Sequence, residues 1–301
     1  MQARLIAYVP EGAAIARIVA PGERLRIGRA IGSDLQLPQA SVSRRHAELE
    51  HQADGTWRLA DLDSKNGTFV DGARIADTVL ARSAWLRFGD LHCEFGVLDA
   101  QAAEDQACRW QQRRDDAARM VERIGASAGA QVGPRATTRL LEQCLRGVLD
   151  LAQCTRGIVL TVQDGRYRVA TSMALDASLA TGPEFTGSLG AVAQALRSRT
   201  PVVFNDVGQP AWITGRDANA RSGLRTLVAL PLLAGERIVG AIYADRRDAG
   251  PPLTTFDLEL LQAFAQRCAL WLAVRGEPDD GAAPPTSGDW SRLLADHAAA
   301  R

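Results

Sequence analysis

The apolar residues of this chain keep one spacing up to about residue 98 and another after it, and that change limits what the chain can fold into. LIAYV, IARIV, RLRIGR, DLQL, GTFV, AWLRFG and LHCEFGVL are short β-rich runs divided by Gly, Asp and Pro. HAELEHQADGTWRLADL is two alternating segments around Asp54-Gly55, a hairpin signal. Many short strands with such punctuation predict a β-sandwich over residues 1–98.

From residue 99 the pattern turns helical. QAAEDQACRWQQRRDDAARMVERIG has no Pro and no interior Gly, and is rich in helix formers. Ala103, Ala107, Trp110, Ala117, Val121 and Ile124 follow a 4-3 spacing, with Arg114 breaking the row. The segment reads either as a solvated connector helix or as a parallel dimer helix. GASAGAQVGP, ending at Pro134, reads as a hinge, so residues 99–134 form a helical connector and hinge.

Residues 135–275 mix both periods. In TTRLLEQCLRGVLDLAQC, Leu141, Leu145, Val148 and Ala152 recur at i, i+4, i+7 and i+11. A hairpin around Asp164-Gly165, the helix SLGAVAQALRSR, the strand PVVFND and two strands around a Gly-Glu turn follow. TTFDLELLQAFAQRCALWLAV is a long helix that Thr254 or Thr255 can cap. This order predicts an α+β sheet covered on one side by helices. Residues 276–301 read as a flexible tail: a polar Pro/Gly stretch, then WSRLLADHAAAR as a short terminal helix. Twelve residues do not hold a helix alone, so this one docks on a partner, docks on its own body, or frays.

Composition narrows the function classes. A length of 301 residues suits two domains, and 46% hydrophobic with 23% charged residues is ordinary for a globular chain. Basic and acidic residues number 35 each, which argues against coating nucleic acid or a membrane by bulk charge. The longest apolar run, Leu227 to Ala234, is far short of the ~20 residues of a span. The start, MQARLIAYVPEGAA, does not read as a signal peptide, so a cytoplasmic protein is expected. Five scattered cysteines (Cys93, Cys108, Cys144, Cys154 and Cys268) without a CxxC read as free thiols.

Three motifs in the first region carry chemistry. Gly28-Arg29 ends a strand; Ser41-Val42-Ser43-Arg44-Arg45-His46-Ala47 follows; then comes Asp61-Leu62-Asp63-Ser64-Lys65-Asn66-Gly67-Thr68-Phe69-Val70, with Gly72 behind it. A phosphate dianion calls for fixed guanidinium groups, hydroxyl donors and backbone N–H groups. Arg29 and Arg44 offer guanidinium forks, Ser43 a small hydroxyl, and Asn66 a paired donor and acceptor suited to an extended peptide. Residues 1–99 hold 12 Lys+Arg against 13 Asp+Glu, a net of −1, so an anion site here must be local clustering and nucleic acid is disfavoured.

Together these motifs resemble the forkhead-associated (FHA) domain over about residues 4–98. The resemblance implies an eleven-stranded β-sandwich whose loops at one end bind phosphothreonine peptides. Carried over, Arg29 and Ser43 contact the phosphate, Arg44 and Lys65 add phosphate or peptide contacts, and Asn66 holds the peptide backbone. Gly28, His46 and Gly67 are scaffold for the loops.

Residues 137–274 resemble a GAF domain, through SLGAVAQALRSRTPVVFNDV, SGLRTLVALPLLAGERIVGAIYADRR and the final helix. That family's sheet often encloses a small-molecule pocket, and its terminal helices often build dimers. The cyclic-nucleotide signature of some members is missing, and none of the four histidines lies in this region, which disfavours His-ligated haem or metal. No cofactor is expected. The insertion AWITGRDANARSG offers Trp212, Arg216 and Arg221 as candidate pocket contacts. The combined expectation is a non-catalytic signalling adaptor that binds a phosphothreonine protein made by a Ser/Thr kinase and senses a small ligand or forms a homodimer. An accessory transcription regulator and a thiol-dependent methionine sulfoxide reductase are the alternatives.

Overall fold

The structure, a computed structural model, describes residues 1–10, 12–130, 134–163, 165–175, 187–206, 223–275 and 290. The chain divides into two compact units, Met1–Gln111 and Gln112–Arg301.

The first unit holds eleven described strands in two sheets. One runs in the order β2 (Ile15–Val19), β1 (Gln2–Ala7), β11 (Leu91–Leu98), β10 (Ala84–Phe88), β7 (Thr68–Val70), β8 (Ala73–Ile75). The other runs β4 (Leu35–Gln36), β3 (Arg24–Gly28), β5 (Ala47–His51), β6 (Trp57–Asp61), β9 (Asp77–Leu80). Alternation decides the faces: in β3, Leu25 and Ile27 are buried while Arg24 and Arg26 are exposed. Trp57, Phe88, Phe95, Leu49 and Leu59 fill the core between the sheets. The β5–β6 hairpin turns at Asp54-Gly55, with Gly55 at φ +87. Strands β8 and β9 escape the sequence reading because most of their residues face solvent, which erases the apolar alternation.

Helix α1 (Ala100–Ala130) opens with the Asp99 carboxylate accepting from Ala102 N at 2.7 Å. The helix passes through Gly125 to Ala130, so the expected hinge does not begin there; residues 131–133 lie outside the described residues. Packing explains the continuation. Ala117, Met120 and Ile124 are buried in the second unit, and a Cβ on Gly125 would stand 3.5 Å from Trp271. The second half of the row read as a dimer seam is therefore used within the chain.

Helix α2 (Pro134–Ala152), strands β12 (Arg156–Gln163) and β13 (Arg166–Met173), helix α3 (Leu189–Ser198), strands β14 (Val202–Asn205), β15 (Thr226–Ala234) and β16 (Arg237–Arg246), and helix α4 (Thr255–Arg275) complete the second unit. Its sheet is antiparallel, in the order β13-β12-β16-β15-β14. Thr254 caps α4, exchanging hydrogen bonds with Asp257. The sheet is covered on both faces, not one: α2 and α4 pack on one side and α3 on the other. The continuous apolar run of β15 is the sequence trace of this, since Thr226–Leu232 are all buried. Trp290, the one described residue beyond Arg275, is fully buried in the cluster on the α3 side. The Trp290 indole is seated in the chain's own body; the other residues of the expected tail lie outside the described residues. No described helix is long and apolar enough to cross a membrane.

Candidate anion-binding site

The three sequence motifs meet in the loops at one end of the sandwich, after β3, before β5 and between β6 and β7. Arg29 N donates to Ser43 O at 2.9 Å, and Arg29 Nε to Val42 O at 3.2 Å. Ser43 Oγ accepts from Lys65 N at 3.0 Å, and Asn66 Nδ2 donates to Ser41 O at 2.7 Å. These bonds tie Arg29, Ser43, Lys65 and Asn66 into one loop cluster. Arg29, Arg44, Lys65 and Asn66 are exposed, and Ser43 is half-buried. Having accepted from Lys65, the Ser43 hydroxyl keeps its own proton to donate, and Asn66 keeps Oδ1 as an acceptor. Among the described residues, none of the cations Arg29, Arg44, Arg45 and Lys65 pairs with a carboxylate. The cluster presents positive charge and hydroxyl and N–H donors to water without an internal anion.

A buried layer sets this arrangement. His46 is wholly buried; its Nδ1 accepts from Ser43 N at 3.0 Å, so Nε2 carries the proton to Gly67 O at 3.2 Å. One ring thus connects the Ser43 loop to the Asn66-Gly67 turn, edge-on to Phe88. Burial pushes the imidazole below its ordinary value, which keeps it neutral, although the bond to Gly67 and the charge of Asp61 oppose this.

The turn itself is shaped by residues to which the sequence reading gave no role. Asp61 accepts from Ser64 Oγ and Thr68 Oγ1, both at 2.6 Å, and from Ser64 N at 3.0 Å, while Ser64 Oγ accepts from Gly67 N. Burial works against the Asp61 carboxylate, but the Ser64 and Thr68 hydroxyls outweigh it and hold the carboxyl below the usual range. An Asp followed three residues on by Ser is the local signal of such a turn.

Two glycines are required by geometry. A Cβ on Gly28 would lie 2.2 Å from Arg44 O, so β3 can approach the Arg44 loop only as Gly. Gly67 sits at φ +81, and Arg74 occupies the space a side chain would need.

In the second unit, Trp212, Arg216 and Arg221 lie outside the described residues. A cavity of about 680 Å³ beside α1 and α2 is lined by Arg113, Arg119, Arg123, Asp116 and Asp150; its mixed charges define no single ligand chemistry. The described cysteines are all free, and only Cys108 is exposed. Burial pushes the Cys154 thiol up to about 12 and, with Cys144 beside it, the Cys268 thiol well above its ordinary value. Both are protonated, the wrong state for a nucleophile. Among the described residues no His/Cys/Asp/Glu group has a metal-binding arrangement.

The comparisons agree with this division. The FHA domain model matches residues 25–89 and the GAF domain model residues 137–272. The chain contains an FHA domain followed by a GAF domain. FHA domain-containing protein FhaB of Mycobacterium tuberculosis is 40% identical over 72 residues, 24% of this chain and 46% of that protein. The ABC transporter ATP-binding/permease protein Rv1747 of the same species is 37% identical over 75 residues, 25% of this chain and 9% of that protein. The chain thus spans less than half the length of these relatives. A solved FHA domain studied for phosphothreonine-dependent interactions shares 28% identity, covering 32% of this chain and 98% of its own, at a TM-score of 0.29.

Proposed function

We propose that this protein is a non-catalytic signalling adaptor whose FHA domain docks on phosphothreonine-containing segments of a partner phosphorylated by a Ser/Thr kinase. The observation that supports it most is the joining of Arg29, Ser43, Lys65 and Asn66 by hydrogen bonds in one exposed cluster of unpaired cations and donors. In this reading the Arg29 guanidinium and the Ser43 hydroxyl hold the phosphate, Arg44 and Lys65 add charge, and Asn66 grips the peptide main chain through its free Oδ1. Gly28, His46 and Gly67 hold the loops in place. The GAF domain supplies the second half: it senses a small ligand or brings two copies together.

Titration calorimetry with one peptide in phosphothreonine and unphosphorylated forms tests the docking half. Binding of the phosphorylated form alone is expected. Equal binding of both forms sinks the reading.

A further inference from the structure

The outer face of the six-stranded sheet carries a second pair of cations at the loop end of the first unit. Arg74 of β8 stands opposite Phe69 of β7, and Phe69 stands opposite Arg87 of β10. Directly opposed residues of antiparallel strands point to one face, so the three side chains form a row with the ring in the middle. Thr68, next to Phe69 on β7, points the other way and is wholly buried, which puts the row on the solvent side.

Both guanidinium groups are held in place. A Cβ on Gly67 would stand 2.7 Å from Arg74 Nε and 3.1 Å from its Cζ, so the Arg74 fork lies against the backbone beside Asn66. Arg87 Cζ is 3.6 Å from the centre of the Phe69 ring, and Arg87 Nη1 donates to Gly89 O. Gly89 N donates to Gly67 O at 3.1 Å, and Asp90 N to Ser41 Oγ at 3.0 Å. Ser41 is also the residue whose carbonyl accepts from Asn66, so the turn beneath Arg87 is bonded to the loops of the candidate site. Arg74 is exposed and Arg87 half-buried. Among the described residues no carboxylate forms an ion pair with either, Asp90 included. Each fork has five N–H donors, and most of them remain for a ligand. Part of the rotamer freedom that a loose arginine loses on binding is already lost here, which lowers the ordering cost for an anion that arrives.

We propose that Arg74 and Arg87 form a second anion subsite beside the first, and that it takes an acidic group of the same docked peptide, a carboxylate or a second phosphoryl group. A main chain gripped by Asn66 passes beside Gly67, and an extended chain advances ~3.3 Å per residue, so a side chain a few residues from the phosphothreonine reaches the row. This rests on the phosphothreonine reading and narrows its partner to a segment with an acidic flank on one side.

Calorimetry with the full chain tests it, using phosphothreonine peptides with three glutamates before the phosphothreonine, three after it, or alanines on both sides. One acidic peptide is expected to bind ~10-fold more tightly than the alanine peptide. In Arg74→Gln/Arg87→Gln that gain is expected to fall below about twofold, while the alanine peptide binds as before. No gain in the unaltered chain, or a gain that survives in the double variant, overturns the proposal. Arg74→Gln alone covers a double variant that fails to fold: its side chain is exposed, and retention of the whole gain there is equally fatal. Phosphoserines in place of the glutamates identify the anion, a larger gain assigning a second phosphoryl group and an equal or smaller one a carboxylate. Equal binding of phosphorylated and unphosphorylated alanine peptides overturns the docking reading itself, whereas phosphate-dependent binding without the acidic gain overturns the second subsite alone.

Discussion

The loop end of the FHA unit and the α3 face of the GAF unit are organised in opposite ways. In the first, a layer of buried His46, Ser64 and Thr68 and half-buried Asp61 holds exposed cations and donors in place, and among the described residues no carboxylate pairs with Arg29, Arg44, Arg45 or Lys65. In the second, the space between helix and sheet is filled by Trp290 from the chain itself. The contrast teaches that a site for a charged ligand can stand open to water, because its polar groups are solvated while they wait. An apolar cavity has no such option and is filled, if necessary, by the chain's own side chain. Removing an exposed group in the first region should therefore alter binding and leave stability alone, whereas removing a buried one in the second should alter stability.

The largest effect is expected in the GAF unit. Asp245 is fully buried and pairs with Arg156 at 2.6 Å, while Tyr243 Oη donates to it at 2.8 Å. Arg156→Ala leaves a buried carboxylate without its cation and should cost about 3–5 kcal/mol, read by urea unfolding of the full chain. Loss of less than ~1 kcal/mol would break the comparison. Next is Arg29→Ala, which should weaken phosphothreonine-peptide binding ~100-fold by calorimetry with an unchanged melting temperature. A matching fall in melting temperature would place Arg29 in the scaffold.

His46 sharpens the boundary, since it is buried yet bonded to the loops of the candidate site. His46→Ala strands Ser43 N–H and should cost about 2 kcal/mol of stability, with weaker peptide binding alongside. The same residue predicts a pH dependence. Its folded imidazole titrates below the ordinary 6.5, so the unfolded chain takes up the proton first. Its contribution is complete above about pH 6.5 and is lost as the pH falls below that toward the folded value; His92, also depressed, adds the same sign. The urea midpoint of the first unit should drop between pH 7.5 and 5.5, and by less in His46→Asn. The smallest effect is that of Lys65→Ala. An exposed point charge should cost only a few-fold in peptide affinity, more at low salt than at high.

Much of the first unit could be read before the structure because its candidate site is built from short motifs. Gly28-Arg29, Ser43-Arg44 and Lys65-Asn66-Gly67 are each local, and the chemistry of guanidinium, hydroxyl and carboxamide is evident from residue type. The bracing of the turn by Asp61, Ser64 and Thr68 was less visible, since their hydroxyls and carboxylate spend their hydrogen bonds on one another. In the second unit the strands and helices were legible from periodicity, while the coverage of both sheet faces left a trace only in the apolar run of β15. Gly125 read as a break because glycine disfavours helix, and packing beside Trp271 overrode that preference.

The amino-acid order alone determined the strand alternation, the helix periods, the turn glycines and the kinds of groups available for an anion, because each depends on neighbours a few residues apart. Tertiary structure alone decided that His46 joins two loops 21 residues apart, that α1 runs on past Gly125, and that an indole 15 residues beyond α4 is buried on the far face of the sheet. These outcomes depend on which surfaces meet. Burial free energy and packing density belong to the assembled layers, and no single stretch of chain carries them.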